Sequence, residues 1–237
     1  MFYYYGYDWT YIVLVLPFVL LSLLASASVK STFQKYSKVF SRRGLTGAQA
    51  AERVLRANGV TNVRIEQISG ELTDHYDPRT NVIRLSDSVF GSTSVAAIGV
   101  ACHEAGHAVQ YAQSYGPIKL RAAIIPITNL GSKLAMPLIL VGLLLEFLGG
   151  ISNIFVAAGV ICFSLSLVFQ LVTLPVEFNA SHRAIAAIDQ GNILYDDELS
   201  GAKKTLRAAA MTYVAATALA LMQLLRLVLL FSRRSRD

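Results

Sequence analysis

Long uncharged stretches are the feature that most constrains the fold of this chain. Residues 147–176 form a run of 30 uncharged residues, and residues 9–29 form a run of 21. A helix of about 20 apolar residues crosses the hydrocarbon core of a bilayer, so each run is long enough for one span. The longer run also leaves room for a turn at "GGISN". We expect the first run to be an uncleaved anchor, because the preceding "MFYYYGYD" lacks the Lys and Arg of a signal peptide.

Two further apolar stretches predict additional membrane helices. Residues 122–148 are interrupted by Lys133 and closed by Glu146, while residues 208–231 contain Arg226, whose long side chain can reach toward the interface. Only 15% of the residues are charged, against about 25% in a soluble domain. The sequence therefore predicts a mainly α-helical multipass membrane protein with four apolar helices. Its basic residues flank these stretches, so we expect no nucleic-acid partner.

The placement of Lys and Arg predicts the orientation of the chain. Both long connecting segments are rich in basic residues, whereas the residues before the first span have none. Because cytoplasmic segments carry the excess of Lys and Arg, we expect the N-terminus outside and both segments in the cytoplasm. The terminal "SRRSRD" would then violate the rule, so the last helix is expected to be either transmembrane or interfacial. The predicted parts are a transmembrane helix (1–29), a cytoplasmic segment (30–121), a transmembrane hairpin (122–176), a second cytoplasmic segment (177–207) and a C-terminal helix (208–237).

Residues 45–114 are expected to form a small α+β region. "LTGAQAAERVLRANGV" has Thr46 as a helix N-cap and Gly59 after the last turn. "VRIEQI" and "NVIRLS" alternate apolar and polar residues, which is typical of half-buried strands, and "DPRTN" predicts the turn before the second. A helix is expected from Ser92 to Ser114. We expect "NVIRLS" at a sheet edge, where it either completes the sheet or pairs with an extended substrate.

The stretch "VACHEAGHAVQ" holds a metal-binding pattern. His103 and His107 are four residues apart, so both imidazoles project from one face of a helix and can bind one Zn²⁺. Glu104 adjoins them and can serve as a general base. The alternative is a helix that carries two satisfied histidines, but such groups are costly to bury beside a membrane without partners. Cys102 points to another face and is expected to be a packing residue.

A catalytic zinc needs a third protein ligand, for which several residues compete. Gln110 and Gln113 occupy the positions where the metzincin motif requires Gly and His, so this chain is not a metzincin. The remaining histidines are His75 and His182. Glu146 is expected at the far end of the membrane hairpin, on the other side of the bilayer.

Glu177 in "LPVEFNASHRA" is the predicted third ligand. It follows His107 closely along the chain once the apolar block 122–174 is set aside. We expect Pro175 to mark the start of a new helix that carries it. Two histidines and such a glutamate form the ligand set of thermolysin-like enzymes. The alternative is that Glu177 only ends the membrane stretch.

"HEAGHA", an apolar hairpin, "PVEFNAS" and a last apolar helix resemble, in this order, the YugP-type family of membrane zinc metallopeptidases. The chain is more distantly similar to the HtpX and CAAX-prenyl-protease families. The likeness to the YugP type covers nearly the whole chain, including "DHYDPRTNVIRLS". It implies a membrane gluzincin that hydrolyses peptide bonds with one Zn²⁺, with Glu104 as the catalytic residue and His103, His107 and Glu177 as ligands.

Three positions depart from the patterns of these families. Asn179 stands where Asp is expected, His182 stands where Arg is expected, and Ser181 stands where the HtpX-type pattern has Asp. An Asp there would orient a zinc-binding histidine. This chain must therefore use another group, and Asn179 and Ser181 are the candidates.

Other polar residues have less defined roles. A tetrahedral oxyanion needs a donor besides the metal, and the candidates are Tyr111, His182 and Arg183. A second metal site could combine His75 with Asp74 and Asp77. Asp-Pro turns are common without metals, however, so we expect a structural role there.

Two other functions compete with a membrane metalloendopeptidase. A site-2-type intramembrane protease would place the histidine helix inside a span, but the distal Asp-Gly pair of that class is absent. A catalytically silent membrane scaffold could retain the metal site. No Gly-Lys pair occurs, which excludes a nucleotide loop of the ATP-driven proteases. The expected partners are a peptide or membrane-protein substrate and membrane lipid, and nothing indicates an oligomer or an adaptor.

Overall fold

The computed structural model describes residues 9–148 and 153–234. In this part the chain is mainly helical and has one small sheet. A π-helical turn, Tyr11–Val15, precedes the first helix. The helices are α1 (Leu16–Tyr36), α2 (Gly47–Ala57), α3 (Asp87–Phe90), α4 (Val95–Ala112), α5 (Gly116–Phe147), α6 (Asn153–Gln190) and α7 (Asp196–Arg234), and the strands are β1 (Arg64–Ile68), β2 (His75–Asp77) and β3 (Val82–Ser86). "MFYYYGYD", most of "GGISN" and the last three residues of "SRRSRD" lie outside the described residues.

The expectation of four apolar helices is confirmed. Within the described residues, four helices are long and apolar enough to cross a membrane: Tyr11–Tyr36, Gly116–Leu145, Ile154–Gln190 and Asp196–Ser232. The charge that interrupts the last of them, Arg226, lies over an aromatic ring, with its guanidinium carbon 5.4 Å from the centroid of Tyr11. Such cation–π contact offsets part of the cost of a charge in an apolar helix.

The expected helix start at Pro175 is wrong, because α6 runs through this residue without a break. A proline inside a helix removes one backbone hydrogen bond, which long apolar helices tolerate when packing holds the turn. The turns that follow are held by buried residues spaced by four: Val176, Ala180 and Ala184. Glu177 is therefore carried by the same helix as the third apolar stretch.

The described residues of segments 1–24, 120–174 and 213–237 form one compact unit. In it, α5 and α6 approach closely at small residues. A Cβ added at Gly159 would lie 2.9 Å from the carbonyl oxygen of Ala135. The hydroxyls of Ser132 and Ser166 lie 2.8 Å apart across the same pair of helices. Small residues and hydroxyl contacts are the usual means by which helices associate in membranes.

Residues 25–119 and 175–212 form a second compact unit, which contains the sheet. The strand order is β1-β3-β2, with β1 parallel and β2 antiparallel to β3. The expectation that "NVIRLS" forms an edge is therefore wrong. The short strand β2 turns back through "DPRTN" and covers the open side of β3, whose Val82, Ile83 and Leu85 are fully buried. Both β1 and β2 are edges of the sheet, and β2 is an edge that contacts α4.

The helix α2 begins and ends where its sequence predicts. The Thr46 hydroxyl accepts a hydrogen bond from the Gln49 backbone N–H, and the Gln49 side chain accepts one from the Thr46 N–H. This capping box satisfies two of the free donors at a helix start. Gly59 follows the helix with φ +69°, a backbone conformation that favours glycine.

The helix α4 is at the centre of the second unit, and 14 of its 18 residues are buried. The Ser94 hydroxyl caps it by accepting from the Ala97 N–H. Alanine and glycine dominate its sequence, so neighbouring backbones can come close. A Cβ added at Gly106 would lie 2.7 Å from the carbonyl oxygen of Ala180, whereas one at Gly99 would make ordinary contact with Ala202 at 3.4 Å. At these two glycines, α4 therefore lies closer to α6, at Gly106, than to α7, at Gly99.

We predict that Gly106→Ala destabilises the protein, since its methyl group would overlap a backbone oxygen that cannot move alone. Overpacking of this kind costs about 1–3 kcal/mol, which lowers Tm by about 2–12 °C for a chain of this size. Thermal unfolding in detergent measures the change. Gly99→Ala is the matched control on the same helix and should shift Tm by less than about 2 °C. Equal shifts for both variants would contradict the close crossing.

Candidate metal centre

Three side chains of the second unit converge on one point. Ligand atoms of His103, His107 and Glu177 all lie within 4.8 Å of one another. The Glu177 Oε2 atom is 3.3 Å from His103 Nε2 and 3.5 Å from His107 Nε2. Ligands about 2.0–2.1 Å from a tetrahedral zinc ion lie about 3.3 Å from one another. The donor set and its spacing therefore fit one zinc ion.

The crossing of α4 and α6 brings these ligands together. His103 and His107 are one turn apart on α4, and their rings are nearly perpendicular, with centroids 4.7 Å apart. Gly106 precedes His107 and touches α6 at Ala180, which lies one turn after Glu177. Without a side chain at Gly106, the backbones approach closely enough for the short glutamate to reach both imidazoles.

The orientation of His107 is set by Gln110, which is completely buried. The Gln110 Nε2 atom donates to the carbonyl oxygen of Val176 at 2.8 Å, so its Oε1 atom must face His107 Nδ1, 3.0 Å away. Because this oxygen can only accept, Nδ1 must carry the proton. The lone pair of His107 then lies on Nε2, the atom that faces Glu177.

Asn179 and Arg183 hold Gln110 in place. The Asn179 Oδ1 atom accepts from Gln110 Nε2 at 3.0 Å and from Arg183 Nε at 2.7 Å. Arg183 also donates to the side chain of Gln113, one turn after Gln110 on α4. A chain of amide side chains, which starts at buried Gln110 and ends at exposed Gln113, therefore connects His107 to the surface of the unit. It occupies the place where a carboxylate would otherwise support the histidine.

His103 has a different partner. The Ser181 hydroxyl oxygen lies 3.1 Å from His103 Nδ1. The hydroxyl can accept a hydrogen bond from Nδ1–H, which leaves the Nε2 lone pair facing Glu177. Both predicted supporting residues thus lie near the histidines: Ser181 contacts His103 directly, whereas Asn179 acts on His107 through Gln110.

Glu104 is held by the edge strand. Its Oε2 atom accepts a hydrogen bond of 2.9 Å from the backbone N–H of Tyr76 in β2. That N–H is directed away from β3 and toward α4. Glu104 is only 8% exposed, and it precedes the ligand His107 by three residues. The base candidate and the sheet edge are therefore in direct contact.

Nearby charges shift the pKa of His107, and burial shifts the pKa of Asp74. Burial opposes the charged form of His107, but its hydrogen bond to Glu177 and the charges of Glu104 and Glu177 outweigh burial and raise the His107 pKa. Protons therefore compete with a metal ion for this histidine as the pH falls. Burial raises the pKa of Asp74, although hydrogen bonds from the Ser86 backbone and hydroxyl oppose the shift.

The other residues named from the sequence are not among the three converging side chains. The Tyr111 ring packs against Tyr76, with centroids 5.6 Å apart, beside Glu104. His182 is exposed and lines a separate cleft together with Arg53. Arg183 is engaged by the amide chain. Cys102 is completely buried in the core, where burial raises the pKa of its thiol, and it fits the expected packing role.

The acidic turn before β3 does not form a second metal group within the described residues. His75 Nδ1 lies 2.8 Å from the carbonyl oxygen of Thr73, and Asp74 accepts from Ser86. Asp77 caps its own turn, where the Thr80 hydroxyl, the Arg79 N–H and Arg84 lower its pKa to about 2. The expected structural role of this turn agrees with these contacts.

Sequence reasoning missed two groups of this centre. The contact of Gln110 with His107 could have been predicted, because Gln110 lies three residues after His107 and therefore on the same helix face. The N–H of Tyr76 gave no signal, because any residue except proline carries a backbone donor.

Comparison with known proteins places the chain in a family. The family described as "Putative neutral zinc metallopeptidase" matches residues 11–232. The "Putative membrane protease YugP" of Bacillus subtilis (strain 168) is 47% identical over 211 residues, which cover 89% of this chain and 92% of that protein. No solved structure matches the chain. A match over nearly the whole length, with this degree of identity, shows that the chain belongs to the family described as "Putative neutral zinc metallopeptidase".

Proposed function

We propose that the protein is a membrane zinc metalloendopeptidase whose site faces the cytoplasm. The observation that carries the proposal is the spacing of the three ligand atoms, with Glu177 Oε2 at 3.3 and 3.5 Å from the two imidazole nitrogens. The family and the YugP relative support the same chemistry. The basic residues of segments 30–121 and 177–207 support the cytoplasmic orientation.

His103, His107 and Glu177 would hold the zinc ion, as in a gluzincin. When bound, zinc supplies Lewis acidity, which lowers the pKa of water to about 7 and polarises a carbonyl group. Gln110 and Ser181 keep both Nε2 atoms directed at the ion by holding the opposite ring nitrogens. The Gln110 contact fixes the His107 tautomer before any substrate arrives, and the Ser181 hydroxyl is compatible with the same tautomer of His103.

Glu104 would act as the general base. It takes a proton from the attacking water and later passes it to the leaving amine. The Tyr76 N–H holds Oε2, which leaves Oε1 as the oxygen that exchanges the proton. Among the oxyanion candidates, Tyr111 is the best placed, since it packs on Tyr76 next to Glu104.

We infer that an extended peptide lies along β2, beside Glu104, and pairs with outward backbone groups other than the Tyr76 N–H, which Glu104 already occupies. Backbone groups of an edge strand pair with peptides of many sequences, which suits a substrate drawn from peptides or unfolded membrane-protein segments. The helix α4 is not among the four candidate spans found in the described residues. It packs with α2 and the sheet, and this favours hydrolysis outside the bilayer over a site-2-type mechanism.

Removal of the third ligand should abolish zinc binding. We expect about one zinc ion per purified chain and a near-complete loss in Glu177→Ala, because two histidines alone leave the ion half coordinated. Elemental analysis of the detergent-purified protein measures the content, and Glu71→Ala is a matched control at an exposed glutamate. A full zinc content in Glu177→Ala would mean that another residue, His182 or His75, is the third ligand. A metal-free parent would favour the scaffold.

Loss of the base should separate metal binding from catalysis. Glu104→Gln keeps an acceptor for the Tyr76 N–H but cannot take a proton, so zinc content should remain while hydrolysis falls by about 10²–10⁴-fold. Cleavage of a quenched fluorescent peptide mixture by protein in lipid vesicles measures the rate. A parental rate in Glu104→Gln would mean that another group acts as the base, whereas complementation of every deletion phenotype by a Glu104→Gln variant without hydrolysis would favour the scaffold.

The amide that orients His107 should control metal affinity. Gln110→Met preserves the side-chain volume but removes the acceptor for Nδ1–H, and loss of such support weakens metal affinity by about 10–100-fold. Competition with a chromogenic zinc chelator measures the dissociation constant. Gln113→Met makes the same substitution one turn later and should change the constant by less than about twofold, as it contacts no ligand. Equal effects of the two substitutions would rule out a specific role for Gln110.

A further inference from the structure

A groove between α1 and α7 lies apart from the metal centre, within the unit formed by residues 25–119 and 175–212. Its volume is about 390 Å³. Three cationic side chains line it: Lys35 on α1, and Lys204 and Arg207 on α7. The groove also contains the side chains of Ser28 and Thr32. Hydroxyl and cationic groups together form a surface that suits a phosphate group.

The positive charge of this groove is not neutralised by the protein. No carboxylate is among the lining residues. Within the described residues, none of the three cations forms an ion pair, whereas nearby Arg42 is paired with Asp197 and Glu198. All three are exposed, so their ammonium and guanidinium groups are available to an external anion.

The two helices meet closely where the groove is formed. A Cβ added at Gly201 of α7 would lie 2.7 Å from the Tyr36 ring of α1. The absence of a side chain at Gly201 therefore seats the aromatic ring against α7. The same ring lines the groove, and Lys35 Nζ lies 5.6 Å from its centroid. The three cations therefore lie where two helices pack together, and not on a loop.

The groove lies at the ends of two apolar runs. Lys35 follows the uncharged run 9–29 by six residues, or about 9 Å of helix. Arg207 and Lys204 directly precede the apolar run that starts at residue 208. The headgroup layer adds about 5–8 Å on each side of the hydrocarbon core. The Lys35 backbone therefore lies at the outer limit of the headgroup layer, which its long side chain can reach, and the lining residues Ala208 and Met211 begin the apolar side.

We propose that this groove binds the phosphate headgroup of an anionic phospholipid. Lys35, Lys204 and Arg207 contact the phosphate from two helices, while the acyl chains follow the apolar surface beyond Met211. The unpaired charge selects an anion, and the position at the ends of two membrane helices selects a lipid over a free ion. The bound lipid would connect α1 to α7 on the headgroup side of the membrane.

The test uses the full chain in neutral detergent and isothermal titration with short-chain phosphatidylglycerol. The variant Lys35→Gln/Lys204→Gln/Arg207→Gln removes the three groove charges. Lys30→Gln/Lys38→Gln/Lys203→Gln removes three charges outside the groove lining, one from α1, one from the turn that follows α1 and one from α7. Each basic residue near a membrane surface changes binding by about fivefold, so we expect the groove variant to bind about 10–100-fold more weakly. The control variant should stay within about threefold of the parent.

Two further ligands identify the source of the phosphate. Phosphatidylcholine of the same chain length should bind much more weakly than phosphatidylglycerol, and inorganic phosphate alone should show no saturable binding. Saturable binding of inorganic phosphate with no preference for the lipid would overturn the proposal in favour of a free-anion site. Equal weakening in both triple variants would overturn it in favour of general attraction between charges.

A charge-conserving variant protects the test against misfolding. Lys35→Arg/Lys204→Arg/Arg207→Lys retains all three cations and should retain binding. An unchanged Tm and a single chromatographic peak establish that the neutral groove variant is folded. If the groove variant unfolds, the parent and the charge-conserving variant still decide the outcome. Absence of phosphatidylglycerol binding by both would refute the site.

Discussion

The contact between Gly106 and the backbone of Ala180 determines how α4 and α6 cross, and the metal centre depends on that crossing. A glutamate side chain is short, so it reaches two imidazoles on another helix only when the helix axes are close. Gly106 lies between His103 and His107 and removes the one Cβ that would hold α6 away. The same close contact brings Ser181 against His103 and Asn179 against Gln110, which supports His107.

A second property of this centre is that the amide side chains which orient His107 are uncharged. A buried carboxylate behind a zinc histidine would add negative charge to a site that already contains Glu177, which is 3% exposed, and Glu104. Burying further charge is costly unless it is paired. Gln110 and Asn179 instead supply fixed dipoles, and the Val176 carbonyl determines which end of the Gln110 amide faces His107. The arrangement orients the histidine and leaves the net charge of the site unchanged.

The sequence predicted the structure correctly where a single residue type or a single spacing determines it. Uncharged runs predicted the four apolar helices, and the four-residue spacing of His103 and His107 predicted their shared face. The helix start expected at Pro175 was wrong, because a local signal was outweighed by burial of the following turns. The edge position expected for "NVIRLS" was wrong, because strand order depends on which element covers the open side of β3, and three residues of β2 are too few to predict it. The groove between α1 and α7 depends on a helix crossing that no single segment encodes.

The hydrogen bond from Tyr76 to Glu104 comes from the main chain, and this changes which positions are free to vary. Because the donor is a backbone N–H, nineteen amino-acid types at residue 76 still provide it, and only proline removes it. The contact is therefore insensitive to side-chain identity but sensitive to insertions or deletions that shift the register of β2. Side chains along this edge can therefore vary while the backbone contact to the glutamate is kept.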